Sequence, residues 1–172
     1  SVALSIFSVF MPSTLASLLL LITGFLLLFR FFLWSPRLGF KKFEIGIMYV
    51  GYFFLAVHFL TESMRILGFL PAVGTLSVHI FTFLCVGVVI PGMLVRISQG
   101  HTGRKLQFTF SDRIAIWAIF LASFFRLVMT QIAPMHYQTW ILLSGAGWMF
   151  CFSMLGIRLI PFLFKPRIDG KE

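Results

Sequence analysis

The stretch "LASLLLLITGFLLLF", residues 15–29, decides the class of this protein, because it is almost entirely apolar and carries no charged side chain. A helix needs about 20 mainly apolar residues to cross the hydrocarbon layer of a bilayer, which is roughly 30 Å thick. The run continues into apolar residues on both sides and lacks the strict alternation of apolar and polar residues that marks membrane strands. It therefore predicts a membrane-spanning α-helix.

The composition of the whole chain extends this prediction beyond the first helix. The 172 residues are 59% hydrophobic, 17% aromatic and 11% charged, with a mean hydropathy of +1.00, which lies outside the range of soluble globular proteins. A bilayer accepts only elements that satisfy their own backbone hydrogen bonds, so we expect an all-α polytopic transmembrane helical bundle, as one domain over residues 1–172. Five spans are predicted, at about residues 4–33, 43–69, 75–97, 112–133 and 139–164.

The net charge of +9 gathers at the ends of the predicted spans, so the lipid bilayer explains it better than a nucleic acid partner would. Twelve of the fourteen Lys and Arg residues flank the first connection, the third connection and the C-terminus, which five spans put on one side. Such residues concentrate on the cytoplasmic side of membrane proteins. We therefore expect the third connection and the C-terminus in the cytoplasm and the N-terminus on the opposite side.

Five polar side chains lie inside the predicted spans near the other membrane face. His58, Glu62 and Arg65 share one helical stripe, while His79 and Arg126 lie close to the same end of the next two spans. An ionisable group at membrane depth costs about 2.5–3.5 kcal/mol, so such groups usually face a cavity, a partner or a cofactor. Two simpler interpretations stay open: an intrahelical pair of Glu62 with Arg65, and a hydrogen bond from His79 to a neighbouring carbonyl.

The third connection, "RISQGHTGRK" at residues 96–105, admits three interpretations. Its basic residues can be membrane anchors, with Gly100 and Gly103 allowing a tight turn. Alternatively Arg96 and Arg104 can form an anion cradle for phosphate or carboxylate, or His101 can bind a metal. The chain carries no zinc spacing, P-loop, catalytic triad or paired-carboxylate motif, so hydrolytic chemistry has no support.

Smaller features complete the sequence-based description. We expect a kink at Pro91 inside the third span and an N-cap at Ser111 or Asp112 for the fourth. Cys85 and Cys151 fall in different spans and are expected to be inert buried thiols.

The segment "HIFTFLCVGVVIPGMLVRISQGHTGR", residues 79–104, resembles a long segment of the NnrS family. In that family a histidine opens a helix, a glycine follows eight residues later, an arginine follows seventeen residues after the histidine, and GHTGR comes next; the matching residues here are His79, Gly87 and Arg96. Arg126, Trp148 and the "KPRIDG" tail, residues 165–170, also match the family pattern. Leu84 departs from it, because many members carry a glycine there.

The resemblance implies a bacterial inner-membrane protein that contains haem b and copper and is linked to nitric oxide, denitrification and nitrosative stress. Nitric oxide would be its small-molecule ligand. Family members are usually longer, so a preceding N-terminal half or a partner membrane subunit is also implied. Together with the polar residues inside the spans, the resemblance makes His79 and His58 the candidate metal ligands. The other candidate cofactor-binding residues are Arg126, Arg96, His101 and Arg104.

Two other functions stay open at the level of the sequence. A transporter-like protein would use the proline-broken third span and the buried charges to line a path. A structural or assembly subunit would use the same charges to pair with a partner and would hold no cofactor of its own. For a haem protein, turnover, sensing and resistance to nitric oxide are equally compatible with these residues.

Overall fold

The computed structural model describes residues 13–69 and 75–168, and all the regular structure within these ranges is helical. Five helices are long and apolar enough to span a membrane, as the sequence predicts, and the protein is a membrane protein of the all-α class. They are α1 (Ser13–Leu33), α2 (Phe43–Ile66), α3 (Leu76–His101), α4 (Phe110–Ile132) and α5 (Pro134–Leu163). The contacts divide the chain inside α3, into one unit that ends at Cys85 and another that begins at Val86. That the five helices form a single domain stays a prediction.

Most helix ends lie within three residues of the ends of the predicted spans, with two larger differences. Helix α3 continues to His101, four residues beyond the predicted end of the third span, so most of the segment 96–105 is helical, and α5 begins at Pro134, five residues before the predicted start of the fifth span. A helix can continue past the point where polar residues mark the exit from the hydrocarbon layer. The start of the first predicted span, residues 4–12, lies outside the described residues.

In the first unit α1 packs closely against α2. The Ser63 hydroxyl donates a 2.8 Å hydrogen bond to the carbonyl oxygen of Ser17, and both residues are fully buried. Gly24 allows this approach, because a Cβ atom there would lie 2.7 Å from the Leu60 side chain. The contact therefore combines small residues with one interhelical hydrogen bond, as is common between membrane helices.

The second unit depends on a similar contact between α4 and α5. A Cβ atom at Gly147 would lie 2.9 Å from the Cβ atom of Ala122 and 3.1 Å from the carbonyl oxygen of Ala118. Gly147 thus lets the two helix backbones approach, as small residues commonly do between membrane helices. Ile116, Ile119 and Leu155 fill the buried faces on either side.

The N-terminus of α4 is capped by a residue that lies outside the predicted span. Thr109 is the N-cap and forms a capping box with Asp112, whose carboxylate accepts a 2.8 Å hydrogen bond from the Thr109 backbone N–H. The prediction of Ser111 or Asp112 as N-cap is therefore wrong by two or three residues. Asp112 is the third residue of the helix, where a side-chain acceptor satisfies the N-cap N–H.

Two helices contain π-helical segments, which are rare and frequently mark functional sites. In α3 the segment Ile80–Val86 directly follows His79, and in α4 the segment Phe125–Met129 contains Arg126. Pro91 lies beyond the first of these segments, inside the α-helical stretch Gly87–His101. The π-helical segment of α3 thus directly follows the candidate histidine, and the kink at Pro91 stays a prediction.

Candidate functional site

The predicted site residues fall at opposite ends of the long helices. His79 lies one turn into α3, whereas Arg96 and His101 lie in its last two turns. Seventeen residues separate His79 from Arg96, which corresponds to roughly 25 Å at 1.5 Å per residue. The two units are therefore described in turn, beginning with the histidines of the first.

His58 on α2 makes the most informative contact of the first site. Its Nδ1 atom lies 2.9 Å from the carbonyl oxygen of Ser77 and 3.1 Å from the Ser77 hydroxyl oxygen. A carbonyl oxygen can only accept a hydrogen bond, so Nδ1 carries the proton. In the neutral imidazole the lone pair then lies on Nε2, the nitrogen that a metal ion or a proton would use.

Aromatic rings surround the half-buried imidazole of His58. The ring centroid of Phe81 lies 5.0 Å from that of His58, and the ring of Phe59 lies 5.4 Å away. Phe59 is itself buried, so this side of the histidine is apolar. The imidazole is therefore held at Nδ1 by Ser77 and packs against two aromatic rings.

Glu62 and Arg65 form the intrahelical pair that the spacing suggested. Arg65 Nη2 lies 2.6 Å from Glu62 Oε1, and Arg65 Nε lies within 3.2 Å of both carboxylate oxygens. The Arg65 side chain is 42% exposed, so the pair is partly open to its surroundings.

His79 has a different environment from His58, although it lies only two residues after Ser77. Its Nε2 atom is 3.2 Å from the Thr75 hydroxyl oxygen, and its ring meets that of Phe83 edge-on at 6.0 Å. The hydrogen bond from His79 to a neighbouring carbonyl stays a prediction. The contact with the Thr75 hydroxyl is compatible with either tautomer, because a hydroxyl group both donates and accepts.

Arg126 and Trp148 belong to the second unit. Arg126 is half-buried in the π-helical segment of α4, and its carbonyl oxygen accepts a 2.7 Å hydrogen bond from the Thr130 hydroxyl. Trp148 lies in α5, with its ring 5.1 Å from that of Phe152. The grouping of Arg126 with the two histidines stays a prediction.

The GHTGR residues, Gly100 to Arg104, form the C-terminal cap of α3. Gly103 has a φ of +69°, and the backbone N–H groups of Gly103 and Arg104 donate to the carbonyl oxygens of Gly100 and Gln99 at 3.2 and 2.9 Å. This is the Schellman arrangement, which favours glycine at the left-handed position. The tight-turn interpretation therefore holds for Gly103, whereas Gly100 is helical.

The turn is held from two further sides. Gln99 bonds to the backbone of Gln107 in both directions, with its amide nitrogen donating at 2.9 Å and its amide oxygen accepting at 2.7 Å. The backbone N–H of Ile168, in the C-terminal tail, donates to the Thr102 carbonyl oxygen at 3.3 Å. Two of the family-like motifs, GHTGR and the tail, thus meet at one place.

Three side chains that the sequence analysis did not select as site residues complete this end of the second unit. Asp112 is fully buried and forms an ion pair with Arg158 of α5. The guanidinium group of Arg104 lies 4.3 Å above the ring of Phe162. The sequence offers little indication of this ion pair. Asp112 stands at a helix start, where capping residues are common, and Arg158 is one of several basic residues that flank the spans.

The remaining predicted residues at this end are exposed. Arg96 and His101 both lie on the surface of the last two turns of α3. Within residues 13–69 and 75–168, no three His, Cys, Asp or Glu side chains are grouped as they would be around a metal ion. Cys85 and Cys151 are free and buried, as predicted.

Comparison with known proteins identifies the family. The family model described as "NnrS protein" matches residues 1–167, which is a longer stretch than the motif-bearing segment alone. No curated protein and no solved structure matches the chain. Since the family match covers nearly the whole sequence, the chain belongs to the NnrS family.

Proposed function

We propose that this protein is a haem-binding membrane protein of nitric oxide metabolism or of protection against nitrosative stress. Membership of the NnrS family is consistent with a role related to nitric oxide. The observation that supports haem binding most directly is the 2.9 Å contact between Nδ1 of His58 and the carbonyl oxygen of Ser77. Histidines that bind metals usually donate their other ring N–H in this way, which fixes the ring and raises the basicity of the ligating nitrogen.

The residues around His58 fit a haem group. His58 Nε2 would bind the iron, and the neighbouring rings of Phe59 and Phe81 would supply apolar contacts. When bound, haem would supply a ferrous iron that takes nitric oxide as a ligand. Ser77 would hold the imidazole in the tautomer that has its lone pair on Nε2.

His79 is the proposed second imidazole of this unit. It follows Ser77 on α3 and directly precedes the π-helical segment Ile80–Val86, where the backbone departs from regular α-helix. Copper is proposed as a further metal, because neutral imidazole nitrogen is among its preferred ligands. An N-terminal half or a partner membrane subunit would supply ligands beyond these two histidines.

The proposed location is the bacterial inner membrane, with the GHTGR turn and the C-terminus in the cytoplasm. The support is the charge distribution, since twelve of the fourteen basic residues flank one set of span ends. Under this topology His58 and His79 lie nearer the periplasmic face.

Purification of the protein from haem-replete cells, with optical and metal analysis, tests the proposed function. The matched variants are His58→Ala, His79→Ala and the control His101→Ala, since His101 is exposed at the other end of α3. We expect a Soret band in the parent and the control, its loss in His58→Ala, and a shifted or weakened band in His79→Ala. The preparation is repeated with a co-expressed N-terminal half from a longer family member.

Two outcomes would contradict the proposal. The absence of a Soret band in both preparations would favour a transporter-like or assembly role without a cofactor. An equal Soret band in the parent and in His58→Ala would place the haem elsewhere and remove His58 from the site.

A further inference from the structure

Two guanidinium groups approach one aromatic ring at the basic end of the second unit. Arg104 lies 4.3 Å from the ring centroid of Phe162, and Arg158 lies 5.9 Å from the same centroid. Arginine stacks on aromatic rings because its planar cation is attracted to their electron-rich faces. We call Arg104, Arg158 and Phe162 the two-arginine site.

The charges of this site do not balance within the described residues. Asp112 is the ion-pair partner of Arg158, and its Oδ2 atom also accepts a hydrogen bond of 2.8 Å from the Thr109 backbone and one of 3.0 Å from the Thr109 hydroxyl. Asp112 thus compensates one of the two guanidinium charges. An excess of one positive charge is left at a site that is only half exposed.

Arg104 also has an unused hydrogen-bond donor. Its Nη1 atom is buried and has no hydrogen-bond partner among residues 13–69 and 75–168. A buried donor left unpaired is costly, most of all on a charged group, so it demands an acceptor. A guanidinium N–H bonds most strongly to an anionic acceptor such as a carboxylate or a phosphate.

The position of the site narrows the class of anion. Arg104 follows the last residue of α3 by three positions, and Phe162 lies in the last turn of α5, so both belong to the ends of membrane helices. Ile160 and Phe164, on either side of Phe162, are 53% and 86% exposed. Such apolar residues next to basic ones are typical of the level of lipid headgroups, where basic pockets between helices bind phosphates.

We propose that the two-arginine site binds the phosphate group of an anionic phospholipid or a free phosphate ion. Arg104 donates its unused N–H to a phosphate oxygen, while Phe162 fixes the plane of the guanidinium group. Arg158 adds positive charge and stays paired with Asp112. This assignment is independent of the proposed haem function, because it concerns the opposite helix ends and needs no cofactor.

The test measures ligand-dependent thermal stability of the purified full chain in neutral detergent. The probes are phosphatidylglycerol, phosphatidylcholine and inorganic phosphate, each titrated separately. The variants are Arg104→Gln and, as matched control, Lys105→Gln, which removes an exposed positive charge from the next residue. Two further variants keep the positive charge of the site. Phe162→Leu removes the ring on which Arg104 stacks, and Arg104→Lys removes the planar guanidinium group.

We expect phosphatidylglycerol to raise the melting temperature of the parent and of Lys105→Gln equally, and phosphatidylcholine to have a much smaller effect. Arg104→Gln should weaken apparent binding by about tenfold, the effect of losing one hydrogen bond to a charged group. Arg104→Lys and Phe162→Leu should bind phosphatidylglycerol more weakly than the parent and more tightly than Arg104→Gln. If inorganic phosphate raises the melting temperature as much as phosphatidylglycerol does, in the same variants, the ligand of the site is the free phosphate ion.

Equal protection by phosphatidylcholine and phosphatidylglycerol in the parent would overturn the proposal, and this comparison needs no variant. Unchanged binding in a folded Arg104→Gln protein would overturn it as well. Should Arg104→Gln fail to fold, Phe162→Leu and Arg104→Lys give the decision, since parent-like affinity in both would exclude the site.

Discussion

The Nδ1 atom of His58 on α2 lies 2.9 Å from the carbonyl oxygen of Ser77 on α3. The two residues are nineteen positions apart, so this contact fixes the register between two membrane helices as well as the tautomer of the histidine. The neutral ring then directs its lone pair to Nε2. The same hydrogen bond that joins the two helices therefore leaves Nε2 of His58 able to bind a metal ion. The proposed haem function depends on this arrangement.

The interhelical hydrogen bond from Ser63 to Ser17 should make a measurable contribution to stability. Both residues are fully buried, so Ser63→Ala leaves the Ser17 carbonyl oxygen without this donor. Hydrogen bonds between membrane helices average about 0.6 kcal/mol and reach about 1.7 kcal/mol. We expect a loss of about 1 kcal/mol in the free energy of unfolding, measured by denaturant titration in mixed micelles. Ser153→Ala, at an exposed position of α5, should change it little.

The close approach of α4 and α5 at Gly147 predicts a steep dependence on side-chain size. A methyl group at this position would lie 2.9 Å from the Ala122 Cβ atom and 3.1 Å from the Ala118 carbonyl oxygen. Gly147→Ala should therefore cost about 1–3 kcal/mol through overpacking. Gly145→Ala is the control, since open space surrounds that position. Equal melting temperatures for the two variants would show that the helices do not pack through Gly147.

The ion pair of Asp112 with Arg158 should contribute more to stability than the pair of Glu62 with Arg65. Asp112 is fully buried beside Arg158, whereas the Glu62 and Arg65 side chains are 21% and 42% exposed. Asp112→Ala leaves a partly buried cation and should cost about 3 kcal/mol, while Glu62→Ala should cost at most about 1 kcal/mol.

A double variant separates the ion pair at Asp112 from simple loss of packing. Asp112→Ala combined with Arg158→Met removes both charges, so it should recover most of the stability lost in Asp112→Ala alone. Additive losses in a double-mutant cycle of unfolding free energies would mean that the pair is not coupled.

Features that depend on the length of an apolar run or on the spacing of nearby residues could be predicted from the sequence. The number and class of the helices follow from apolar runs long enough to span a bilayer, and the Glu62–Arg65 pair follows from a separation of three residues. Gly103 was recognised as a turn residue, since only a few residue types adopt a positive φ.

Contacts between distant segments could not be predicted in the same way. Asp112 and Arg158 are 46 residues apart, and their pairing depends on how α4 packs against α5. The bond between His58 and Ser77 depends likewise on the axial register of two helices. The family-like motif contains His79, whereas no local pattern around His58 indicates that its Nδ1 atom contacts Ser77.

The most direct test of the central claim is chemical rescue of a His58→Gly variant, with His101→Gly as control. Haem content and the Soret spectrum are measured in purified protein, before and after addition of free imidazole. The account predicts that His58→Gly loses the parent spectrum and that imidazole restores it, while the control retains it throughout. A parent-like spectrum in His58→Gly without imidazole would contradict the assignment of His58 as the haem ligand.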